Sequence, residues 1–355
     1  MNSGESTGSD RLRPLLEVFF ERYGVPAAGA AVVAHTGDLD VEVAGQRHRN
    51  TVDTVDVNDQ WHIGSCAKSM TAALYARLVE RGDAAWGVPV PEFFRDLAGS
   101  VNAGWSHSTI DEVLVCRSGM DANLNRAQMV AAWGDTADAT DQRTRAVVSA
   151  LSDPPRTRGS FRYSNLGYIV VGAAIDRLAG MPFEDALHAE VLEPLGITTA
   201  GLGPPPDIWG HKSRLQIGGI TAGRGSPAEP GLPRSDNPAV MTPAGRLHLT
   251  LADWAKFQRV FLNRGSDFLE SATVEHLLAI PAGKGNGMAM GWAPAAGLAG
   301  VSYGMQGSNT LWAATALIDS NFERTAMVVA NSGRSRVLKG SAQLAVSILQ
   351  SGSTR

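Results

Sequence analysis

The amino-acid sequence predicts an α/β (α+β) chain: an antiparallel sheet flanked by helices, with an all-helical region inserted into it. Two observations carry that expectation. Strand-like runs and an amphipathic helix occur near both ends of the chain, while helical, loop-rich sequence fills the middle. The 355 residues are 44% hydrophobic, enough for a core of that size.

The elements read in order as follows. Residues 1–9 are polar and are expected as a disordered tail. "RLRPLLEVFFERYG" has apolar residues at helical spacing and stops at Gly24. "AAGAAVVAHTGDLDVEVAGQ" reads as two strands around the turn Thr36-Gly37-Asp38. Residues 65–81 form a helix-like block closed by Gly82, and "IDEVLVCRSGM", "TRAVVSAL" and "NLGYIVVGAAIDRLAG" continue the helical middle. Residues 201–243 are rich in Gly and Pro, the composition of a long loop that forms a lid or pocket wall. "TLADWAKFQRVFLN" starts with Thr250 as N-cap and Asp253 three residues on, the spacing of a capping arrangement. "GMAMGWAP", "TLWAATALID" and "RTAMVVANSG" are strand-like, and "VLKGSAQLAVSILQ" is a closing helix. The domain expectation is a discontinuous α/β domain of residues 10–75 and 240–355, with 76–239 as the helical insert and its loop-rich pocket wall. A cleft between two such regions is a usual ligand site.

Charge and composition remove several classes of function. The net charge of −4 gives no basic footprint for nucleic acid or an anionic membrane. The N-terminus lacks an apolar h-region, and no apolar run approaches the roughly 18 residues of a membrane span. Cys66 and Cys116 make no disulfide framework, so a reduced, cytoplasmic protein is expected. The eight histidines, including His62, His211 and His248, show no metal-ligand spacing, and neither metal nor cofactor is expected. "PAGKGNGMAMG" fails the spacing of a phosphate loop and reads as a hairpin loop. No Gly-x-Ser-x-Gly elbow surrounds Ser65, which argues against an α/β-hydrolase. Trp61, Trp209, Trp292 and Trp312 are read as core residues before an acyl-binding wall.

The chemistry concentrates in two short stretches. In "WHIGSCAKSM", Ser65 and Lys68 are three apart at the start of a helix and so share a face. A neutral lysine there can take the serine proton, and a serine in the first turn has a backbone N–H aimed at a developing oxyanion. Alone, the pair reads equally well as two polar residues at a helix end. In "FRYSNLGY", Tyr163 supplies a phenol able to move a proton, and Asn165 an amide able to hold a carbonyl or the lysine. The bland reading is a loop tyrosine and a capping asparagine.

These stretches resemble the serine β-lactamase and penicillin-binding-protein superfamily. The likeness is greatest to the class C β-lactamase branch with its esterase and D-amino-acid peptidase relatives, because "YSN" stands where class A enzymes have Ser-Asp-Asn. "LVCRSGM", "EPLGI" and "NPAVMTPAGRLHLTLADWAKF" extend it over nearly the whole chain from about residue 25. The resemblance implies a β-lactamase/transpeptidase-like fold, Ser65 as acylated nucleophile, Lys68 and Tyr163 as the proton-handling pair, and Asn165 as a ligand of substrate and lysine. The family's third motif, Lys or His before a glycine, falls at Met305-Gln306-Gly307, so the usual cation is missing. Gly307 lets backbone approach the substrate, and the Ser308 N–H would complete an oxyanion hole with that of Ser65. Cys116 also replaces a usual histidine. The implied function is a serine hydrolase or acyltransferase acting on a neutral small-molecule ester or amide through an acyl-enzyme. Its rivals are a transacylase passing the acyl group to an amine or alcohol acceptor, and a catalytically silent relative that only binds ligands. No nucleic-acid or membrane partner is expected, and the oligomeric state is left open.

Overall fold

The structure, a computed structural model, describes residues 8–217, 220–264, 267–282 and 287–351. Its centre is a six-stranded antiparallel sheet in the order Ala293–Pro294, Val301–Gly307, Ala313–Asp319, Arg324–Ala330, Ala27–Ala34, Leu39–Gly45. The first-made hairpin therefore joins the last-made strands: Ala28 stands opposite Ala330 and Ala34 opposite Arg324. Along Ala27–Ala34, Ala28 and Ala30 face one layer while Ala27, Ala31 and Val33 face the other, the two-residue period of a strand. The strand Ala313–Asp319 is buried at every position, so it reads as continuous apolar sequence rather than alternation.

One face of the sheet is covered by the helices Gly8–Tyr23 and Ser335–Ser351, through Leu12, Leu16, Phe19, Val337, Leu344 and Ile348. Residues 8 and 9 belong to the first of these helices, so the expected tail is shorter at its inner end, and residues 1–7 lie outside the described residues. The other face meets the helix Leu251–Gln258; a side chain at Gly29 would lie 2.9 Å from Leu251, which fixes how closely helix and strand approach. Thr250 does cap that helix, its hydroxyl accepting the Asp253 N–H at 3.1 Å. Asp253 does not reciprocate: its carboxylate takes Thr198 N–H, Thr199 N–H and the Thr199 hydroxyl, pinning the preceding segment to the helix start.

The helix Ala67–Glu80 runs through the boundary expected between residues 75 and 76, and 11 of its 14 residues are buried. A helix apolar on most sides belongs at the centre of a core, and here one continuous cluster joins it to the sheet and to the helix Asn165–Ala179. Around the latter, Arg143 of the helix Ala139–Ser152 is fully buried and forks onto Asp176 at 2.7 and 2.8 Å and Glu184 at 2.8 and 2.9 Å. Gly180 ends the helix Asn165–Ala179 at φ +65°.

One expectation is corrected. "GMAMGWAP" is not a strand beyond Ala293–Pro294: Met288, Met290 and Trp292 are buried in a loop that folds at Gly291 (φ +83°) directly onto Ser69. The supposed hairpin loop before it lies partly outside the described residues, at 283–286. Among the described residues no single helix is long and apolar enough to cross a membrane.

Candidate active site

Ser65 is placed by a short edge strand, Trp61–His62, which pairs with Leu247–Leu249 and ends at Gly64. Gly64 takes φ +51° and turns the chain into the 3-10 segment Gly64–Cys66, from which the helix Ala67–Glu80 continues. One helical turn after the serine, Lys68 is 1% exposed, and its Nζ donates to Ser65 Oγ at 3.2 Å, to Asn165 Oδ1 at 2.7 Å and to the Ala244 carbonyl. All three partners are neutral, and three acceptors suit the three protons of an ammonium group.

The helix Asn165–Ala179 begins at Ser164, not at the asparagine: Ser164 Oγ accepts the Gly167 N–H at 2.8 Å. With the cap supplied by serine, the Asn165 side chain is free for the site, where Nδ2 donates to Asn123 Oδ1 at 2.7 Å while Oδ1 holds the lysine. Tyr163 is 39% exposed and presents its ring rather than its hydroxyl, with Lys68 Nζ 5.0 Å from the ring centre. Tyr168 flanks the same nitrogen at 5.3 Å, so the ammonium lies between two aromatic faces. Burial pushes the Tyr168 phenol well above its ordinary range, and its hydroxyl donates to the Leu114 carbonyl at 2.8 Å. Tyr168 therefore supports the lysine and does not ionise.

The third motif closes on the serine turn by backbone contact. A side chain at Gly64 would lie 2.6 Å from the Ser308 nitrogen; one at Gly307 would lie 2.0 Å from the Ile63 carbonyl and 2.7 Å from the Ser65 nitrogen. Glycine at both places is what lets the two main chains meet, bringing the N–H groups of Ser65 and Ser308 to one place. Gly245, at φ +153°, completes the enclosure, because a Cβ there would lie 3.1 Å from the Ser65 nitrogen. The Ser308 hydroxyl is turned away and donates to the Trp312 carbonyl at 2.7 Å.

Met305 is 4% exposed and meets the Ser69 hydroxyl through Sδ at 3.8 Å, so the missing cation is replaced by apolar packing against the nucleophile helix. The amide of Gln306 does not reach the serine. It projects from the opposite face of the strand, where Nε2 donates to Thr315 Oγ1 at 3.1 Å and the Leu338 carbonyl at 2.7 Å. Cys116, at φ +57°, lies behind the loop that carries Tyr163, its carbonyl accepting the Arg162 N–H at 2.9 Å. Burial pushes its thiol up and keeps it a neutral structural group.

Two cavities meet at Ser65. One, of about 640 Å³, is walled by Asn123, Arg126, Trp133, Arg234, Asn237 and Asn309. The other, of about 550 Å³, is walled by Lys68, Phe161, Tyr163, Met288, Pro294 and Met305. The first carries two arginines and several amide side chains among apolar ones such as Leu124, Met129 and Met241; the second is more apolar and holds Lys68 and Tyr163. Trp133 is the tryptophan at the cleft. Trp61, Trp292 and Trp312 are core residues as expected, and Trp209 is half-buried, stacked on His48 at 4.2 Å.

Sequence reasoning passed over His62 and Asp236 as a pair. His62 Nε2 lies 3.1 Å from the Asp236 carboxylate, both are buried, and Nδ1 accepts the Gly64 N–H at 3.1 Å. Burial alone would raise the Asp236 carboxyl, but His62, Arg246 and Asn309 together hold it below the ordinary carboxylate range. A histidine three residues before the serine and a glycine directly before it were the available signal; the histidine's partner lies 174 positions away. His211 is also structural: burial lowers it to about 4, and its ring nitrogens meet the Asn331 carbonyl and the Arg49 N–H.

The sheet covered by terminal helices, with a serine in the turn that leads into the buried helix beside it and a lysine in that helix's first turn, defines the β-lactamase/transpeptidase-like fold. A model of the Beta-lactamase family matches residues 12–349, and the chain belongs to that family of serine hydrolases. It is 29% identical over 247 residues to penicillin-binding protein 4 of Amycolatopsis lactamdurans, covering 68% of this chain and 60% of that one. It is 26% identical over 281 residues to an unguisins hydrolase of Aspergillus campestris, covering 76% of this chain and 50% of the other. The chain thus spans little more than half the length of these relatives. The structure of D-amino acid amidase from Ochrobactrum anthropi SV3 superposes with a TM-score of 0.77 at 17% identity, covering 96% of this chain and 98% of that one.

Proposed function

We propose that this protein is a serine hydrolase or acyltransferase that takes a small-molecule ester or amide through an acyl-enzyme on Ser65. The observation that carries the reading is Lys68 Nζ, buried and 3.2 Å from Ser65 Oγ, with Gly64 and Gly307 letting the main-chain nitrogens of Ser65 and Ser308 come close together. Ser65 Oγ attacks the carbonyl carbon, its proton passes to the Lys68–Tyr163 pair, and the carbonyl oxygen takes its charge against the Ser65 and Ser308 N–H groups. The same pair returns the proton to the leaving group as the tetrahedral intermediate collapses. The step needs the pair one proton short, as a neutral Lys68 amine or as a Tyr163 phenolate beside the ammonium, so that the proton taken from Ser65 has a place to go.

The group that protonates the leaving atom must face it. Lys68 and Tyr163 wall the apolar cavity, so the leaving group, and later the acceptor, belongs there. The acyl portion then occupies the other cavity, where Leu124, Met129 and Met241 offer apolar contact, Asn165 and Asn123 amide contacts, and Arg126 and Arg234 positive charge. With Met305 buried in the apolar wall, the strand position of the third motif offers no charge to a carboxylate on the leaving group. The expectation of a neutral substrate is thereby narrowed to its leaving group.

Transfer to an amine or alcohol is favoured as the second reading by the apolar cavity itself, whose room of about 550 Å³ admits an acceptor larger than water. A fluorophosphonate should add its mass to Ser65, and Ser65→Ala should abolish the adduct; absence of an adduct on the folded wild type sinks both readings and leaves a ligand-binding relative. Supplying amines with an activated ester then separates the two: amide product means transfer, free acid means hydrolysis.

A further inference from the structure

We propose that His62, Asp236 and Asn309 are positioning residues that hold the two oxyanion-hole N–H groups, of Ser65 and Ser308, in fixed relation. The inference rests on the acyl-enzyme reading above and adds to it the device that keeps the hole assembled.

On one side the device grips Gly64. At φ +51° this glycine is the freest residue of the turn, and the peptide plane that follows it carries the Ser65 N–H. Its own N–H is bound by His62 Nδ1 at 3.1 Å. Nδ1 is therefore the acceptor nitrogen and Nε2 carries the proton, aimed at both oxygens of Asp236 at 3.1 Å each.

On the other side it grips the turn that follows Gly307. Asn309 Nδ2 donates to Asp236 Oδ1 at 2.6 Å, and Asn309 Oδ1 takes the N–H groups of Leu311 and Trp312 at 3.1 and 3.2 Å. The Trp312 ring lies on the His62 ring, with centres 5.1 Å apart and planes 19° apart. Both strands of backbone that form the hole are thus tied to one buried carboxylate. The Asn237 N–H, at 2.6 Å from the same oxygen, and the Trp133 indole on the Asp236 carbonyl bring the acyl cavity wall into the same unit.

The carboxylate has a second task, which is to choose the imidazole tautomer. Asp236→Asn keeps the shape but supplies an amide that must direct its NH2 at one of three donors: His62 Nε2–H, the Asn309 amide or the Asn237 N–H. If it meets His62, the ring proton moves to Nδ1 and confronts the Gly64 N–H, and the grip becomes a repulsion. His62→Asn overlays an oxygen on Nδ1 and keeps the grip without the link to Asp236; His62→Leu removes both.

Kinetics on p-nitrophenyl acetate, with labelling by a fluorophosphonate, test this. Displacement of an oxyanion donor by part of an ångström lowers kcat by roughly 10- to 100-fold. We expect that loss in Asp236→Asn and His62→Leu with KM within about threefold of wild type, slower labelling in parallel, and substantial recovery in His62→Asn. Circular dichroism melts set a temperature at which each protein is fully folded; Asp236→Asn, being isosteric, carries the test should His62→Leu not fold. The proposal is overturned if kcat in Asp236→Asn stays within about threefold of wild type, if His62→Asn is as slow as His62→Leu, or if the loss vanishes at the folded temperature. Wild type that cannot be labelled on Ser65 overturns the acyl-enzyme reading and this inference together; labelled wild type with equally fast variants overturns this inference alone.

Discussion

Met305 occupies the strand position where the family resemblance implies a cation, and its side chain is spent on the helix Ala67–Glu80, with Sδ 3.8 Å from the Ser69 hydroxyl. That packing lies in the wall of the apolar cavity, so its effect should be read on the leaving group and not on the acyl chain. Met305→His supplies a proton-bearing ring in the same place. For an ester whose leaving group bears a carboxylate we expect KM to fall by about tenfold, the fall growing toward acid as the carboxylate draws a proton onto the ring, and little change for the neutral analogue. Indifference to the carboxylate in a steady-state comparison would remove the cavity assignment. At this scale the sequence was informative where chemistry is local and silent where it is not. The spacing of Ser65 and Lys68 follows from one helical turn, and the structure brings them to 3.2 Å. No local pattern announces that the lysine also needs the Ala244 carbonyl, or that Gln306 turns its amide to Leu338 across the sheet. The ring-on orientation of Tyr163 depends on the packing of a loop, which spacing does not encode.

At the scale of elements, the helices of the middle region converge on Arg143. Its side chain is wholly buried, and three elements depend on it: its own helix, Asp176 near the end of Asn165–Ala179, and Glu184 in Phe183–Leu187. Asp176 also accepts the Phe183 N–H at 2.6 Å and so fixes the turn between the last two. Removing the arginine leaves two carboxylates facing an apolar core, and Arg143→Ala should cost about 3–5 kcal/mol. The urea midpoint measures it, and a loss below about 1 kcal/mol would show that water reaches the site. The elements themselves were legible where periodicity or caps mark them, as in Gly8–Tyr23, the hairpin around Gly37 and the Thr250 cap. "GMAMGWAP" was misread because a short apolar run buried by a loop looks the same as one buried by a strand. In it Ala289 N–H bonds the Trp292 carbonyl at 2.7 Å, and Met290 N–H the Leu277 carbonyl, leaving no ladder to extend.

For the whole molecule, acid sensitivity follows from two buried histidines. Burial lowers His211 to about 4 and His248 below its ordinary value, so the folded chain binds fewer protons than the unfolded one between roughly pH 6.5 and 4. Their neutral forms contribute stability that is fully present above the unfolded value of about 6.5 and is lost as pH falls through that window. For His211 the loss approaches about 3 kcal/mol, because each tenfold weakening of proton affinity on folding is worth about 1.4 kcal/mol. Denaturant midpoints taken from pH 7 to pH 4.5 should fall accordingly, and the slope should shrink in His211→Gln; an unchanged slope would contradict a neutral buried ring. The architecture was legible at this scale because both chain ends carry strand and helix signals. The seam of the site was not: it is made by Gly64, Gly245 and Gly307, three glycines whose proximity only the fold reveals.

That seam also sets a clock. Cys66, next to the nucleophile, packs against the carbonyl of Ala314, 248 positions later in the chain. At about 5–20 residues per second a ribosome needs roughly 12–50 s to make the intervening chain. Throughout that interval the serine and lysine already exist, but the backbone that would steady an oxyanion does not. On the proposed acyl-enzyme reading, the nascent protein carries its nucleophile without the means to use it, and becomes reactive only when its last strands have joined the sheet.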